Sequence, residues 1–122
     1  MSDHRRKLGK WGESVAAVHL EAKGFRIVSR NWRSTFGEID IIALDGNELV
    51  FVEVKTRRGS QMGTPEEGLT KEKSEKLRQL AQLYLAEKEL ERDWRIDLVA
   101  IEIDNRGKLV RCDHIQNAVL GW

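Results

Sequence analysis

The sequence predicts an α/β protein: a mixed central β-sheet flanked by helices, in the order α-β-β-β-α-β-β. Three observations carry that prediction. Lys10–Lys23 and Thr70–Glu91 place apolar residues at helical spacing. Gly37–Leu44, Leu49–Lys55 and Arg95–Ile103 are short runs rich in Ile, Val and Leu, of strand length. The second helix falls between the third and fourth strands, so that connection is a crossover and the two strands pair in parallel.

A chain of 122 residues is expected to form one domain, 1–122, with room for a core. With 40% apolar and 34% charged residues it has the composition of a soluble globular protein, not of a disordered one. The formal net charge of +1 gives no general affinity for nucleic acid, so any basic face must be local. The lone Cys112 excludes an intrachain disulfide framework and a Cys-rich zinc site, and reads as a half-buried small residue. No apolar run approaches the ~20 residues of a membrane span. Met1–Lys10 is polar and basic with no apolar stretch behind it, unlike a signal peptide. The expected compartment is the cytoplasm, with no membrane contact.

Taken in order, Met1–Lys7, with Arg5, Arg6 and Lys7, reads as a solvated tail rather than a phosphate-contacting arm. In the first helix Ala16, Ala17 and Leu20 form the apolar stripe, and Gly24 suits the C′ position. Seven residues back from Leu20, and four back from Ala17, stands Glu13. A position near the positive helix end explains its place in the first turn but not its face. Phe25–Arg33 alternates loosely and reads as an edge strand. Strands Gly37–Leu44 and Leu49–Lys55 join through Asp45-Gly46-Asn47-Glu48, a hairpin signal. Residues 57–65 form a polar, glycine-rich loop of the kind that contacts ligands. In the long helix Leu77, Leu80, Ala81 and Tyr84 form the buried face, and Lys73 lies one turn behind Leu77 on that face. The strand Arg95–Ile103 turns at Asn105-Arg106-Gly107 into a short strand, Lys108–Cys112, and His114–Leu120 reads as one or two closing helical turns. Helices on both faces would account for the apolar residues on both sides of the second and third strands.

Three charges stand where those strands should be apolar: Asp40, Glu53 and Lys55. An unpaired buried charge costs several kcal/mol. With Leu44 paired to Leu49, Asp40 falls opposite Glu53, and directly opposed Cβ atoms are about 4.5–5.5 Å apart. Lys55 shares the Glu53 face by the two-residue period. Two carboxylates, the carbonyl of Val54 and an ammonium group then meet at one point. Such a set suits Mg²⁺ or Mn²⁺, which take oxygen ligands and keep several waters. The lysine could position or deprotonate a water if its pKa falls. Phosphodiester hydrolysis needs these parts. An ordinary solvent-facing hairpin with a cross-strand ion pair is the bland alternative. The apolar company of Ile42, Leu44, Leu49 and Phe51 on the same face weighs against it.

Asp40 followed by Glu53-Val54-Lys55 on the next strand resembles the PD-(D/E)xK nuclease motif, and the element order resembles that superfamily's restriction-endonuclease-like core. More closely, the chain resembles the YraN-like bacterial family, which is similar to Holliday-junction resolvases. The matching pieces are Gly12-Glu13 with Ala17, Gly24-Phe25, Asn31-Trp32-Arg33, Gly37-Glu38-Ile39-Asp40, Phe51–Lys55 with Arg57, Lys73 with Ala81 and Tyr84-Leu85, and Arg95-Ile96-Asp97. Ile39 stands where the literal motif has proline. The resemblance implies that Asp40, Glu53 and the Val54 carbonyl hold the metal, that Lys55 serves the attacking water, and that Glu13 completes the site. It implies a metal-dependent endonuclease acting on DNA, branched or otherwise structured, and working as a homodimer if it makes paired cuts.

Arg33, Arg57, Arg58 and Lys73, with Lys71, are the candidate basic face. Asp97 and His19 read as structural, and the side taken by Glu38 is open. The alternatives are a non-catalytic or weakly catalytic nucleic-acid-binding protein of the same fold, and an interaction protein marked by exposed Trp11, Trp32, Trp94 or Trp122. The same fold carries many functions, so the site must decide.

Overall fold

A computed structural model describes residues 2–59, 61 and 63–119. Its elements are α1 (Ser2–Ala22), β1 (Arg26–Ser34), β2 (Gly37–Asp45), β3 (Glu48–Arg58), a 3₁₀ turn (Glu66–Gly68), α2 (Lys71–Glu87), β4 (Trp94–Ile103) and β5 (Leu109–Ile115). The five strands form one sheet in the order β1-β2-β3-β4-β5. All neighbours are antiparallel except β3 and β4, which the α2 crossover makes parallel.

The sheet is covered on both faces. Ala16, Ala17 and Leu20 of α1 pack with Phe25, Ile41, Ala43, Val50 and Val52 on one side. Leu77, Leu80, Ala81 and Tyr84 of α2 pack with Ile42, Leu49, Phe51 and Ile96 on the other. Alternate residues of β3 thus serve opposite layers, as the two-residue period requires.

Helix ends follow local chemistry. After α1, Phe25 N–H bonds to the Leu20 carbonyl and Gly24 N–H to that of Glu21, with Gly24 at φ +95°, a Schellman stop at the expected glycine. Thr70 caps α2, its hydroxyl accepting from Lys73 N–H at 3.2 Å. The helix ends at Glu87, short of the expected Glu91. Glu89 takes φ +53°, and Leu90 N–H bonds to the Leu85 carbonyl.

Three further expectations are corrected. The stretch read as a tail is helical from Ser2, with Asp3 in the first turn, where a carboxylate favours the positive helix end. Where a closing helix was expected, β5 instead runs on through Ile115, held by pairs from Ile103↔Leu109 to Leu98↔Ile115, with a turn at 116–117. Leu120 lies outside the described residues. The loop expected over 57–65 begins later, since Arg57 and Arg58 still pair with Glu102 and Ile103; Ser60 and Met62 lie outside the described residues. Among the described residues no helix is long and apolar enough to cross a membrane.

Candidate active site

The site forms where β2 and β3 part. Their ladder runs from Asp45↔Glu48 to Ile41↔Val52 in the expected register, and stops there. Beyond it, Glu53–Arg58 keep only β4 as a partner, and the start of β2 keeps only β1. Asp40 and Glu53 therefore do not continue the ladder as an opposed pair. Instead Asp40 Oδ2 accepts a hydrogen bond from Val54 N–H at 2.8 Å. A side chain takes the place of the missing strand carbonyl, satisfying a donor that would otherwise be stranded.

The parting coincides with an irregularity in both strands of the β1–β2 pair. Asn31 has φ +55° inside β1, between the pairs Arg30↔Ile41 and Trp32↔Ile39, which puts it across from Asp40. On β2, Ile39 and Ile42 both belong to the α2-side core while Ile41 belongs to the α1 side, so strict alternation fails at Asp40. A left-handed non-glycine residue costs free energy and asparagine tolerates it best. Here the Asn31 side chain lies near Glu13 and works against the rise that burial gives its pKa.

Glu53 is 5% exposed and is the anchor of the cluster. Its Oε2 lies 3.3 Å from Lys55 Nζ and 3.2 Å from Lys73 Nζ. Desolvation lowers the pKa of Lys55, opposed by the Glu53 charge and reinforced by the neighbouring Lys73 ammonium. On Lys73 burial acts most strongly, lowering its pKa, but Glu53 together with Lys55 and Asp40 raises it overall. Asp40 is pushed up to about 8, first by burial and then by the charge of Glu53, with Val54 N–H opposing and Glu13 adding. Glu13 is raised by burial, against the Asn31 hydrogen bond and the Arg30 charge. Its Oε1 is buried and has no hydrogen-bond partner.

These groups line one cavity of about 610 Å³, together with Arg5, Leu8, Gly9, Arg57 and Arg58. α1 reaches it because Gly12 lies against Thr56 of β3; a Cβ there would overlap the threonine hydroxyl. The loop beyond β3 packs beside Lys55 and Arg57 of the site. Thr64 and Glu67 cap the 3₁₀ turn reciprocally, Thr64 N–H to Glu67 Oε1 at 2.7 Å and Glu67 N–H to Thr64 Oγ1 at 3.3 Å. Arg111 of β5 ties Glu66 down at 2.8 Å. Gly68 then packs against the Lys55 stem, where a Cβ would sit 3.5 Å from Cδ. Arg57 Nε is buried there without a partner.

The structure thus brings Asp40, Glu53, Val54, Lys55, Glu13, Lys73, Arg57 and Arg58 to one place. It leaves Arg33 outside, 3.3 Å from Glu38 at the surface; Glu38 lines both the hollow beside Glu13 and a cavity against α2. Asp97 belongs elsewhere. It is fully buried and accepts from Arg95 Nε at 3.0 Å and Asn117 N–H at 2.8 Å, with His114 Nε2 at 2.7 Å. Arg95 also holds Asp45 and Glu48, so this network pins the β2–β3 turn to β4. Trp11 is 38% exposed while Trp32 and Trp94 are half-buried, which gives no aromatic face; Trp122 lies outside the described residues. Arg5, Leu8 and Gly9 were missed at the sequence level because the helix was started at Lys10. Leu8, seven residues before Val15, and the acidic Asp3 were the available signals.

The donor set fits a hard divalent cation. Burial and the adjacent Glu53 charge push Asp40 towards its protonated form, and a cation between these two carboxylates would relieve that; the buried Glu13 oxygen without a partner lies beside them. Among the described residues no three His, Cys, Asp or Glu side chains stand together as a ready-made cage. The fit is to an ion held by two carboxylates and a carbonyl, with waters filling the rest, as Mg²⁺ prefers.

A five-stranded mixed sheet between two helices, with a carboxylate–lysine cluster where β2 and β3 part, defines an α/β protein built as expected of a restriction-endonuclease-like core. Residues 12–101 match the model of the uncharacterised protein family UPF0102, and the chain belongs to that family, the YraN-like one. UPF0102 proteins similar to it include one from Symbiobacterium thermophilum, 52% identical over 93% of this chain and 96% of that protein. Another, from Roseiflexus castenholzii, is 44% identical over 98% of each chain. A third, from Pelotomaculum thermopropionicum, is 44% identical over 97% of this chain and 99% of its own.

Proposed function

We propose that the protein is a Mg²⁺- or Mn²⁺-dependent endonuclease that hydrolyses phosphodiester bonds in DNA, including branched or otherwise structured DNA. The observation that supports this is the convergence of Asp40, Glu53, Val54 and Lys55 with the unpartnered Glu13 oxygen in a cavity rimmed by Arg57 and Arg58. In this reading Asp40, Glu53 and the Val54 carbonyl hold the ion, with Glu13 beside them. The ion, when bound, supplies charge neutralisation at the phosphate and a more acidic water. Lys55, its pKa lowered by burial, takes the proton of the attacking water. The water oxygen bonds to phosphorus as the bond to the leaving oxygen breaks. Lys73, kept charged with the help of Glu53, offsets the charge on the phosphate, and Arg57 and Arg58 add positive charge at the cavity rim. Paired cuts in a branched substrate would call for a homodimer, and DNA as the substrate would place the protein in the cytoplasm.

A second reading has a specific observation behind it. Both lysines already pair with the same Glu53 oxygen, an arrangement that a binding protein of this fold could keep without turnover. Cleavage of single-stranded, duplex and four-way-junction DNA with Mg²⁺ or Mn²⁺ separates the two. Metal-dependent cleavage that disappears in Asp40→Asn and Lys55→Ala supports the nuclease. Cleavage that survives both substitutions is contamination and refutes it, and binding without cleavage of any substrate leaves the second reading.

A further inference from the structure

Beyond Glu13 a second cavity of about 440 Å³ opens, walled by Arg6, Lys10, Asn31, Arg33 and Glu38. It shares Gly9 and Glu13 with the site cavity, so these two residues form the sill between them.

Gly9 has no structural reason to be glycine. Within a helix it costs roughly 1 kcal/mol relative to alanine. Its φ is not positive, and a Cβ built on it meets nothing within 4 Å. Gly12, less than one turn on, is the contrast, since there the glycine is needed for close approach to Thr56. What the missing side chain at Gly9 provides is open space between two cavities.

The charges beyond the sill are available. Arg6 and Lys10 make no hydrogen bond or ion pair among the described residues. Among the described residues Arg33 pairs only with Glu38, with side chains 78% and 45% exposed, a surface contact of little worth that a phosphate could displace. Arg57 and Arg58 stand in the site cavity itself. Cations thus line both adjoining cavities, with the carboxylates between them, in a chain whose formal net charge is only +1. That distribution suits a polyanion passing over the reaction point, not one that stops there.

We propose that Gly9 is a gap in the α1 wall through which a nucleic-acid strand leaves the site cavity, and that Arg6, Lys10 and Arg33 hold the phosphates beyond it. The chemical class of the ligand rests on the nuclease reading; the path rests on the groove.

The test is fluorescence anisotropy of a labelled 20-nucleotide single strand, titrated in Ca²⁺ at several salt concentrations. It compares the wild type, Arg6→Ala/Lys10→Ala, Gly9→Phe and, as a charge control at the opposite end of β3, Arg92→Ala. Each lost phosphate contact flattens the slope of log K against log salt by ~0.7 on a single strand, so the double variant should lose about 1.4 and Arg92→Ala nothing. Gly9→Phe removes no charge, yet should weaken binding about tenfold or more by filling the passage, with circular dichroism confirming the helix. Wild-type binding that neither variant weakens overturns the groove while leaving the nuclease reading intact. A loss in the double variant without one in Gly9→Phe overturns the path through Gly9. A wild type that neither binds nor cleaves nucleic acid overturns both.

Discussion

Asp40 should make the protein less stable as pH rises, and Asp40→Asn should remove that dependence. In the folded chain its carboxyl is pushed from 3.8 to about 8 by burial and by the adjacent Glu53 charge. The native state therefore binds a proton that the unfolded chain has released. A carboxyl with a raised pKa favours folding fully below about pH 4, and that contribution is lost progressively as pH rises towards 8. At ~1.4 kcal/mol per pH unit the ceiling is about 6 kcal/mol. Lysine rearrangement and water entry lower this, so a loss of about 2–4 kcal/mol between pH 5 and 8 is the working figure. Asparagine mimics the protonated side chain and keeps an oxygen to accept from Val54 N–H. Urea unfolding of both proteins in EDTA at pH 5, 6, 7 and 8 isolates the effect, because Glu13 and the other groups titrate in both. The two should nearly coincide at pH 5, with the variant ahead by about 3 kcal/mol at pH 8. Mn²⁺ at pH 8 should stabilise the wild type and leave the variant almost unchanged. A stability difference that stays constant from pH 5 to 8 would refute the claim that Asp40 is held protonated.

Gly12→Ala should lower stability by about 1–3 kcal/mol, although alanine is the better helix former, because its Cβ overlaps Thr56 Oγ1; thermal melts read this directly. Asp97→Ala should cost about 3–5 kcal/mol in urea unfolding, since it leaves Arg95, His114 and Asn117 N–H without their buried acceptor. Under the nuclease reading, Lys55→Arg should cut cleavage about 100-fold or more, as Lys55→Ala should, because arginine keeps the charge but cannot take a proton at neutral pH. Wild-type cleavage should rise with pH until Lys55 is neutral, and a flat profile would remove it as the proton acceptor.

The periodic parts of this chain could be read without coordinates. The Leu44↔Leu49 register, the parallel β3–β4 pair and the Glu13 face all follow from fixed geometric repeats acting on local sequence. What failed lies where a long-range choice overrides a local one. The first twelve residues carry two glycines and several like charges, and no pattern there shows that Gly12 rests on β3. The segment after Cys112 was assigned to a helix because a bare sequence does not show that β4 offers its far edge as far back as Leu98. Lys73 was legible as an odd charge on an apolar face. Its partner was not, because that depends on how α2 lies across β3.

The Asp40–Glu53 relation shows why the site could be located but not drawn. Extending a regular ladder by one pair put the two carboxylates face to face, and two buried carboxylates so placed repel. The folded chain avoids a clean pairing by ending the ladder one step earlier. That leaves Val54 N–H without a strand carbonyl, and Asp40 supplies the acceptor from its side chain. The break has a matching irregularity on the other side of β2, where Asn31 holds a left-handed conformation and directs its side chain to Glu13. One discontinuity therefore orients Asp40 through a backbone amide and brings Asn31 beside Glu13. An unbroken sheet would have satisfied the backbone more simply and left no gap for a cavity. The strain at Asn31, the buried Glu13 oxygen and the raised Asp40 pKa are three costs at one point, and together they fit a sheet opened there to hold a charged ligand.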